Sequence, residues 1–309
     1  MRWEDYRRSD NIEDRRGEDY ADNSQGSSLG SGINIGGAGN LGLGAIVILG
    51  LIGWALGIDP RLLIGGAEVL QHARQPTQYS QTQQASPQRT APRTNAQPDA
   101  IGDFIAAVLA ETEDVWSEVL PAQKGIKYVA PRLVRYDGET RSGCGNARAA
   151  AGPFYCPVDQ KVYLDTSFFN DMKSRLGGGG DFAYAYVIAH EIGHHVQDQL
   201  GILEKVQTAQ HNATSKTTAN ALSVRLELMA DCLAGVWAAN AGKYRIVQPG
   251  DFEKAVNTAQ AIGDDRLQQA SRGYAVPDSF THGSAAQRVQ WLNIGYKSGQ
   301  VDSCNTFAR

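Results

Sequence analysis

Residues Ala189-His190-Glu191-Ile192-Gly193-His194-His195 constrain this chain more than any other stretch, because they read His-Glu-x-x-His inside a segment of helical periodicity. Phe182, Ala185, Ile188, Ala189, Ile192, Val196 and Leu200 recur every three or four residues and make an apolar stripe beside both histidines. A solvated surface helix would carry no such stripe, so the spacing predicts a helix packed in a core. Asp181, after the glycines at 177–180, is placed to cap its start, and Gly201 to close its end. On that helix His190 and His194 share a face, and Glu191 lies one step round the same surface. Two neutral imidazoles aimed at one point suit Zn²⁺, and a carboxylate beside them can take a proton from a metal-bound water.

A catalytic zinc site usually has three protein ligands and one open position, so a third must be found. The metzincin pattern needs a glycine three residues after His194 and a histidine six residues after it; Gln197 and Leu200 stand there. A glutamate on a later helix is the other solution. Arg225-Leu226-Glu227-Leu228-Met229-Ala230-Asp231 supplies it, with Glu227 and Asp231 four apart and Leu222, Leu226, Met229, Leu233 and Trp237 on a neighbouring apolar face. We read Glu227 as the third ligand and Asp231 as acceptor for the free ring N–H of a ligand histidine, which would fix its tautomer and raise its basicity. The bland alternative is an ordinary solvated acidic face.

The 309 residues are 42% hydrophobic with a net charge of −4, enough for one sizeable domain plus extensions and too acidic to suggest a nucleic-acid partner. Residues 1–40 mix five arginines with more acids and then run into Ser, Asn and Gly without periodicity, so a disordered segment is expected. Residues 41–58, LGLGAIVILGLIGWALGI, carry no charge and suit a transmembrane helix. The arginines before it outnumber Arg61 and Arg74 after it, which favours a cytoplasmic N-terminus. A soluble buried helix is the alternative; a cleaved signal peptide would start earlier. Gly53 and Gly57 form a Gly-x-x-x-Gly pair, which would let two such helices approach closely as a homodimer. Residues 59–99 read as a linker, rich in Gln, Pro, Thr and Ser from about Gln75.

The globular domain is expected over 100–309. Ile101, Phe104, Ile105, Val108, Leu109, Val115 and Trp116 predict a long first helix ending by Pro121. Lys127–Tyr136, Phe154–Cys156 and Lys161–Leu164 read as strands of a small sheet, giving an α+β domain. Further helices are expected near Pro249–Ala270 and Ser284–Tyr296. Cys144 lies in a loop rich in Gly and Ala, and the four cysteines show no Cys-x-x-Cys spacing. Outside the cytoplasm they read as two disulfides, and among three connectivities we favour Cys144–Cys156, closing a local loop, and Cys232–Cys304, pinning the C-terminus to the third-ligand helix. Inside it they would be buried thiols. His282, at a helix entrance with Ser284 near the cap, is a candidate oxyanion donor, against the simpler reading of a turn histidine. His195, on the other flank of its helix, and His211, in a polar loop, read as structural.

His190-Glu191-x-x-His194, Glu227-x-x-Ala230-Asp231 and Thr281-His282-Gly283-Ser284 with Arg288 together resemble the bacterial putative neutral zinc metallopeptidase family over nearly the whole chain, from Met1-Arg2-Trp3 onward. The same motifs are similar to the wider gluzincin peptidases of the membrane-associated, CAAX-processing type, which have a His-Pro pair where this chain has His282-Gly283. The resemblance implies a zincin-like domain and Glu227 as zinc ligand.

These readings combine into a single-pass protein of the bacterial inner membrane, its N-terminus cytoplasmic and its catalytic domain periplasmic or extracellular. One Zn²⁺ would be held by His190, His194 and Glu227, with Glu191 as general base in the hydrolysis of peptide or protein substrates. The competing readings are a membrane-tethered scaffold with a non-catalytic zinc and a zinc amidase acting on cell-wall peptides.

Overall fold

The computed structural model describes residues 1–18, 99–175, 180–244, 247–248 and 250–308. They form a mixed α+β fold in which eight α-helices pack beside one four-stranded sheet and a separate hairpin.

The first helix, α1 (Ala100–Lys124), runs through the core and buries Ile105, Val108, Leu109, Val115 and Trp116. It does not stop at Pro121. A proline near the last turn removes only its own N–H, and its carbonyl still accepts from Gly125, whose left-handed backbone closes the helix. Strand β2 (Arg132–Tyr136) follows, then a hairpin of β3 (Glu139–Ser142) and β4 (Gly145–Arg148), where we expected only a loop around Cys144. Strands β5 (Phe154–Cys156) and β6 (Lys161–Asp165) complete the expected sheet, β6 parallel to β2 and β5 antiparallel on the outside. Helix α2 (Ser167–Arg175) leads towards the histidine helix.

Helix α3 (Asp181–Gln199) carries the His-Glu-x-x-His motif, with both histidines and Glu191 buried. Its expected cap is not used: Gly180 holds the N-cap position, and the Asp181 carboxylate accepts from the Trp3 indole instead. Helix α4 (Ile202–His211) replaces the polar loop expected around His211. Helix α5 (Lys216–Ala241) starts at Ser215, whose hydroxyl accepts from Thr218 N at 3.1 Å. The stretch expected as one helix from Pro249 to Ala270 is two, α6 (Asp251–Ala261) and α7 (Asp264–Arg272). They part at Gly263, where a side chain would collide with the backbone of Ala285. Helix α8 (Ala285–Ser298) opens with a capping box between Ser284 and Gln287.

Small residues set how closely the helices approach. Gly193 lies against Ala230, where a Cβ would stand 3.0 Å from the Ala230 carbonyl oxygen, so these two small residues let α3 come onto α5. Gly235 and Gly295 do the same for α5 and α8: a Cβ on either would strike the other helix's backbone. Both disulfides have the favoured connectivity, with Cα separations of 5.8 Å for Cys144–Cys156 and 5.4 Å for Cys232–Cys304.

The expectation of disorder across 1–40 fails for residues 1–18. Strand β1 (Ile12–Asp14) pairs parallel with β2 at the sheet edge. Ahead of it, Arg7 grips Asp114 and Glu113 of α1, and the ring of Trp3 packs edge-on against Phe104 at 5.5 Å. No helix among the described residues is long and apolar enough to cross a membrane. The expected span Leu41–Ile58, its Gly53–Gly57 pair and the linker up to residue 98 lie outside the described residues.

Candidate metal centre

Three donor atoms meet between α3 and α5. His190, His194 and Glu227 each offer one, all within 4.8 Å of one another and all from buried residues. His190 Nε2 stands 3.1 Å and His194 Nε2 3.6 Å from Glu227 Oε2.

The outer ring nitrogens decide which face of each imidazole is available. His190 Nδ1 lies 2.9 Å from Asp231 Oδ1, and an ionised carboxylate only accepts, so the proton sits on Nδ1. His194 Nδ1 lies 2.9 Å from Gln197 Oε1, which is fixed as the amide oxygen because Gln197 Nε2 donates to the Leu226 carbonyl at 2.7 Å. On both rings Nδ1 therefore carries a proton and Nε2 faces the shared point, where it can ligate a metal that displaces any proton it holds. Asp231 is where the sequence reading puts it. Gln197, which that reading used only to exclude the metzincin pattern, supports the other ligand from three residues along the same helix.

Asp231 is fully buried and has partners besides His190. Arg288 on α8 donates to both its oxygens, at 2.8 and 2.9 Å, and the Tyr186 hydroxyl donates to Oδ1 at 2.6 Å. Burial opposes its charge, but Arg288 and His190 hold it far below the usual carboxylate range. Glu227 behaves alike: burial works against ionisation, and His194, His282 and His190 together keep it well below its ordinary value. On His190, burial opposes the proton while Asp231 and Glu227 attract it, and the balance raises its pKa to about 10. Two buried carboxylates thus share the site with one buried guanidinium and the proton that His190 holds, and a bound cation can take the place of that proton. The donor set and the ring tautomers both fit Zn²⁺.

Glu191 is buried beside these groups. Desolvation raises its pKa, with His190 and His194 pulling the other way and the Tyr155 backbone N–H of the edge strand facing the carboxylate. His195 points away from the metal side, placed between the Tyr155 hydroxyl at 3.0 Å and the Val129 carbonyl at 2.7 Å, so it joins α3 to the sheet. His211 stays exposed at the end of α4.

His282 comes to the same site by a loop that Asp264 shapes. One oxygen of Asp264 accepts the backbone N–H groups of Thr281, His282 and Gly283 at 2.7, 2.7 and 3.1 Å. The imidazole Nδ1 faces the other oxygen at 3.5 Å, and the ring is close enough to Glu227 for their charges to interact. Burial lowers the His282 pKa, but Glu227 and Asp264 raise it overall. The loop also accounts for the departure from a His-Pro pair. Gly283 has φ +97° and donates its N–H to Asp264, and proline can do neither. Beside this loop a groove of about 590 Å³, lined by Val224, Leu228, Phe280, Ser284 and Trp291, borders the site without including its ligand residues.

The family assignment rests on the whole chain. Residues 1–307 match the family described as putative neutral zinc metallopeptidase. The chain belongs to that family. Among its relatives, YpfJ of Escherichia coli strain K12 is 45% identical over 311 residues, covering 100% of this chain and 99% of YpfJ. Rv2575 of Mycobacterium tuberculosis H37Rv is 40% identical over 215 residues, covering 66% of this chain and 70% of its own. No solved structure matches this member of the metallopeptidase family.

Proposed function

We propose that the protein is a zinc-dependent endopeptidase of the zincin type, with His190, His194 and Glu227 as metal ligands and Glu191 as general base. The observation that carries this reading is the convergence of three buried donor atoms, from two imidazoles and one carboxylate, with a further buried carboxylate, Glu191, beside them. Bound there, zinc would lower the pKa of its water to about 7 and polarise the scissile carbonyl.

The chain's own residues do the rest. Glu191 accepts the proton of the attacking water and returns it to the leaving amine; desolvation favours this by raising its affinity for the proton. Asp231 and Gln197 hold the two imidazoles in the ligating tautomer. Arg288 keeps Asp231 charged. His282, steadied by Asp264, stands near Glu227 as a donor for the oxygen that gains charge in the transition state. A scaffold with a purely structural zinc would have no use for a carboxylate set beside the ligand residues at Glu191.

The test is Glu191→Gln in the full chain, assayed on a denatured protein library. The variant should keep stoichiometric zinc and its fold while cleavage falls by about 10²–10⁴-fold. Wild-type cleavage by this variant would remove Glu191 from the mechanism, and wild-type protein that binds zinc but cleaves nothing in the library would return the site to a binding role.

A further inference from the structure

We infer that residues 1–18 are an integral strap of the metallopeptidase domain, and that the amino-terminal segment and the metal centre therefore share one compartment. The strap is built into the domain along its length. Ser9 N donates to the Ala106 carbonyl at 3.0 Å, Leu133 N to the Asn11 carbonyl at 2.8 Å, and Arg15 N to the Arg135 carbonyl at 2.8 Å. Lys161 on β6 reaches across β2 to Glu13 at 2.8 Å.

The partners are specific as well as numerous. Glu113 of α1 is buried, and its carboxylate takes hydrogen bonds from Arg7, Ser9 and Asn11, all within the strap. A helix exposed to solvent at this point would have no reason to present that carboxylate to a matched set of donors. Further along, Arg7 forks onto Asp114 with contacts of 3.0 and 2.6 Å, and the Tyr6 hydroxyl meets the same carboxylate at 2.6 Å. Trp3 donates to Asp181, the first residue of the histidine helix, at 2.9 Å, so the strap steadies the element that carries His190 and His194.

The far end of the strap fixes the topology. Arg16 pairs with Asp99 at 2.7 Å, and Arg135 pairs with Asp99 at 2.7 Å and with Asp14 at 3.8 Å. Asp99 is the residue that caps α1. Residues 16 and 99, on either side of the segment outside the described residues, therefore meet at one place on the domain. A polypeptide that crosses a bilayer once between two points puts those points on opposite sides, where β1 and β2 could not pair. This replaces the expected arrangement of a cytoplasmic N-terminus and an exported domain. With both disulfides formed, the shared compartment is the oxidising one, outside the cytoplasm.

The test places one new cysteine in each part of the full-length chain, Asp10→Cys in the strap and Lys205→Cys on α4, both at exposed positions. Each is probed with a membrane-impermeant maleimide on intact and on permeabilised cells, against the parent chain as background. The inference expects the same pattern for both, labelling in intact cells. Labelling of both only after permeabilisation would keep the shared compartment and overturn its assignment to the oxidising side. Labelling of one in intact cells and of the other only after permeabilisation would overturn the inference. Docking is read separately from the Tm of Arg7→Ala, Asp114→Ala and the double variant of the purified full chain. Coupled losses, with the double variant falling no further than the worse single, support it, and strictly additive losses contradict it. Neither readout involves zinc or proteolysis.

Discussion

Glu227 and Glu111 are both buried carboxylates on long helices, and the protein treats them in opposite ways. Around Glu227 three histidines converge, and they hold it ionised against the cost of burial. Around Glu111 of α1 neither oxygen has a hydrogen-bond partner among the described residues, and burial, with a smaller push from Asp114, raises its pKa to about 8. Burial alone does not mark a functional acid. What separates the two is whether neighbouring groups stabilise the charge: where they do, the pocket is ready for a cation, and where they do not, the acid stays neutral within the core.

The sharpest way to break the first environment is Asp231→Ala. It leaves the Arg288 guanidinium buried without its carboxylate and His190 without its acceptor, so stability should fall by about 3–5 kcal/mol. Denaturant unfolding of the full chain checks this, and a loss below 1 kcal/mol would show that solvent reaches Arg288.

The second environment predicts a pH dependence of definite sign. The folded pKa of Glu111 lies above its ordinary value of 4.5, so the folded state binds the extra proton. Its contribution is fully present below about pH 4.5 and is lost as pH rises to about 8, at a rate approaching 1.4 kcal/mol per pH unit. Glu111→Gln should match the wild type near pH 4.5 and exceed it progressively up to pH 8, in unfolding measured across that range. Parallel curves for the two proteins would mean that Glu111 is ionised in the fold.

A smaller effect is expected at Gln197. Gln197→Ala removes the acceptor of His194 Nδ1–H while leaving all three donor atoms in place, so zinc affinity should drop about 10–100-fold. Competition against a chromophoric chelator measures it. Unchanged affinity would mean that the tautomer of His194 is fixed by the metal alone.

The two environments also differ in how far the sequence discloses them. His190, His194, Glu227 and Asp231 are legible because helical spacing turns sequence separation directly into a shared face, and Gly193 and Ala230 sit where two such faces must touch. Gln197 was visible at the same spacing, but nothing local shows that a glutamine will accept from a histidine. Asp264 carries no signal at all, since the loop it organises begins 17 residues later. The strap is the largest omission. Its charged, aperiodic composition reads as disorder, yet its partners Glu113 and Asp114 lie more than 100 residues away in sequence and on a helix legible for its apolar face alone. The β3–β4 hairpin was missed for a similar reason, because four-residue strands rich in polar residues and glycine leave no alternating pattern to read.

The central claim, a catalytic zinc held by His190, His194 and Glu227, is tested most directly by zinc-edge X-ray absorption on the metal-loaded full chain. The expected first shell is nitrogen and oxygen only, at about 2.0–2.2 Å, with scattering from two imidazoles that falls to one in His194→Ala. A shell containing sulfur at about 2.3 Å, or two imidazoles that persist in His194→Ala, would place the metal elsewhere and contradict the account.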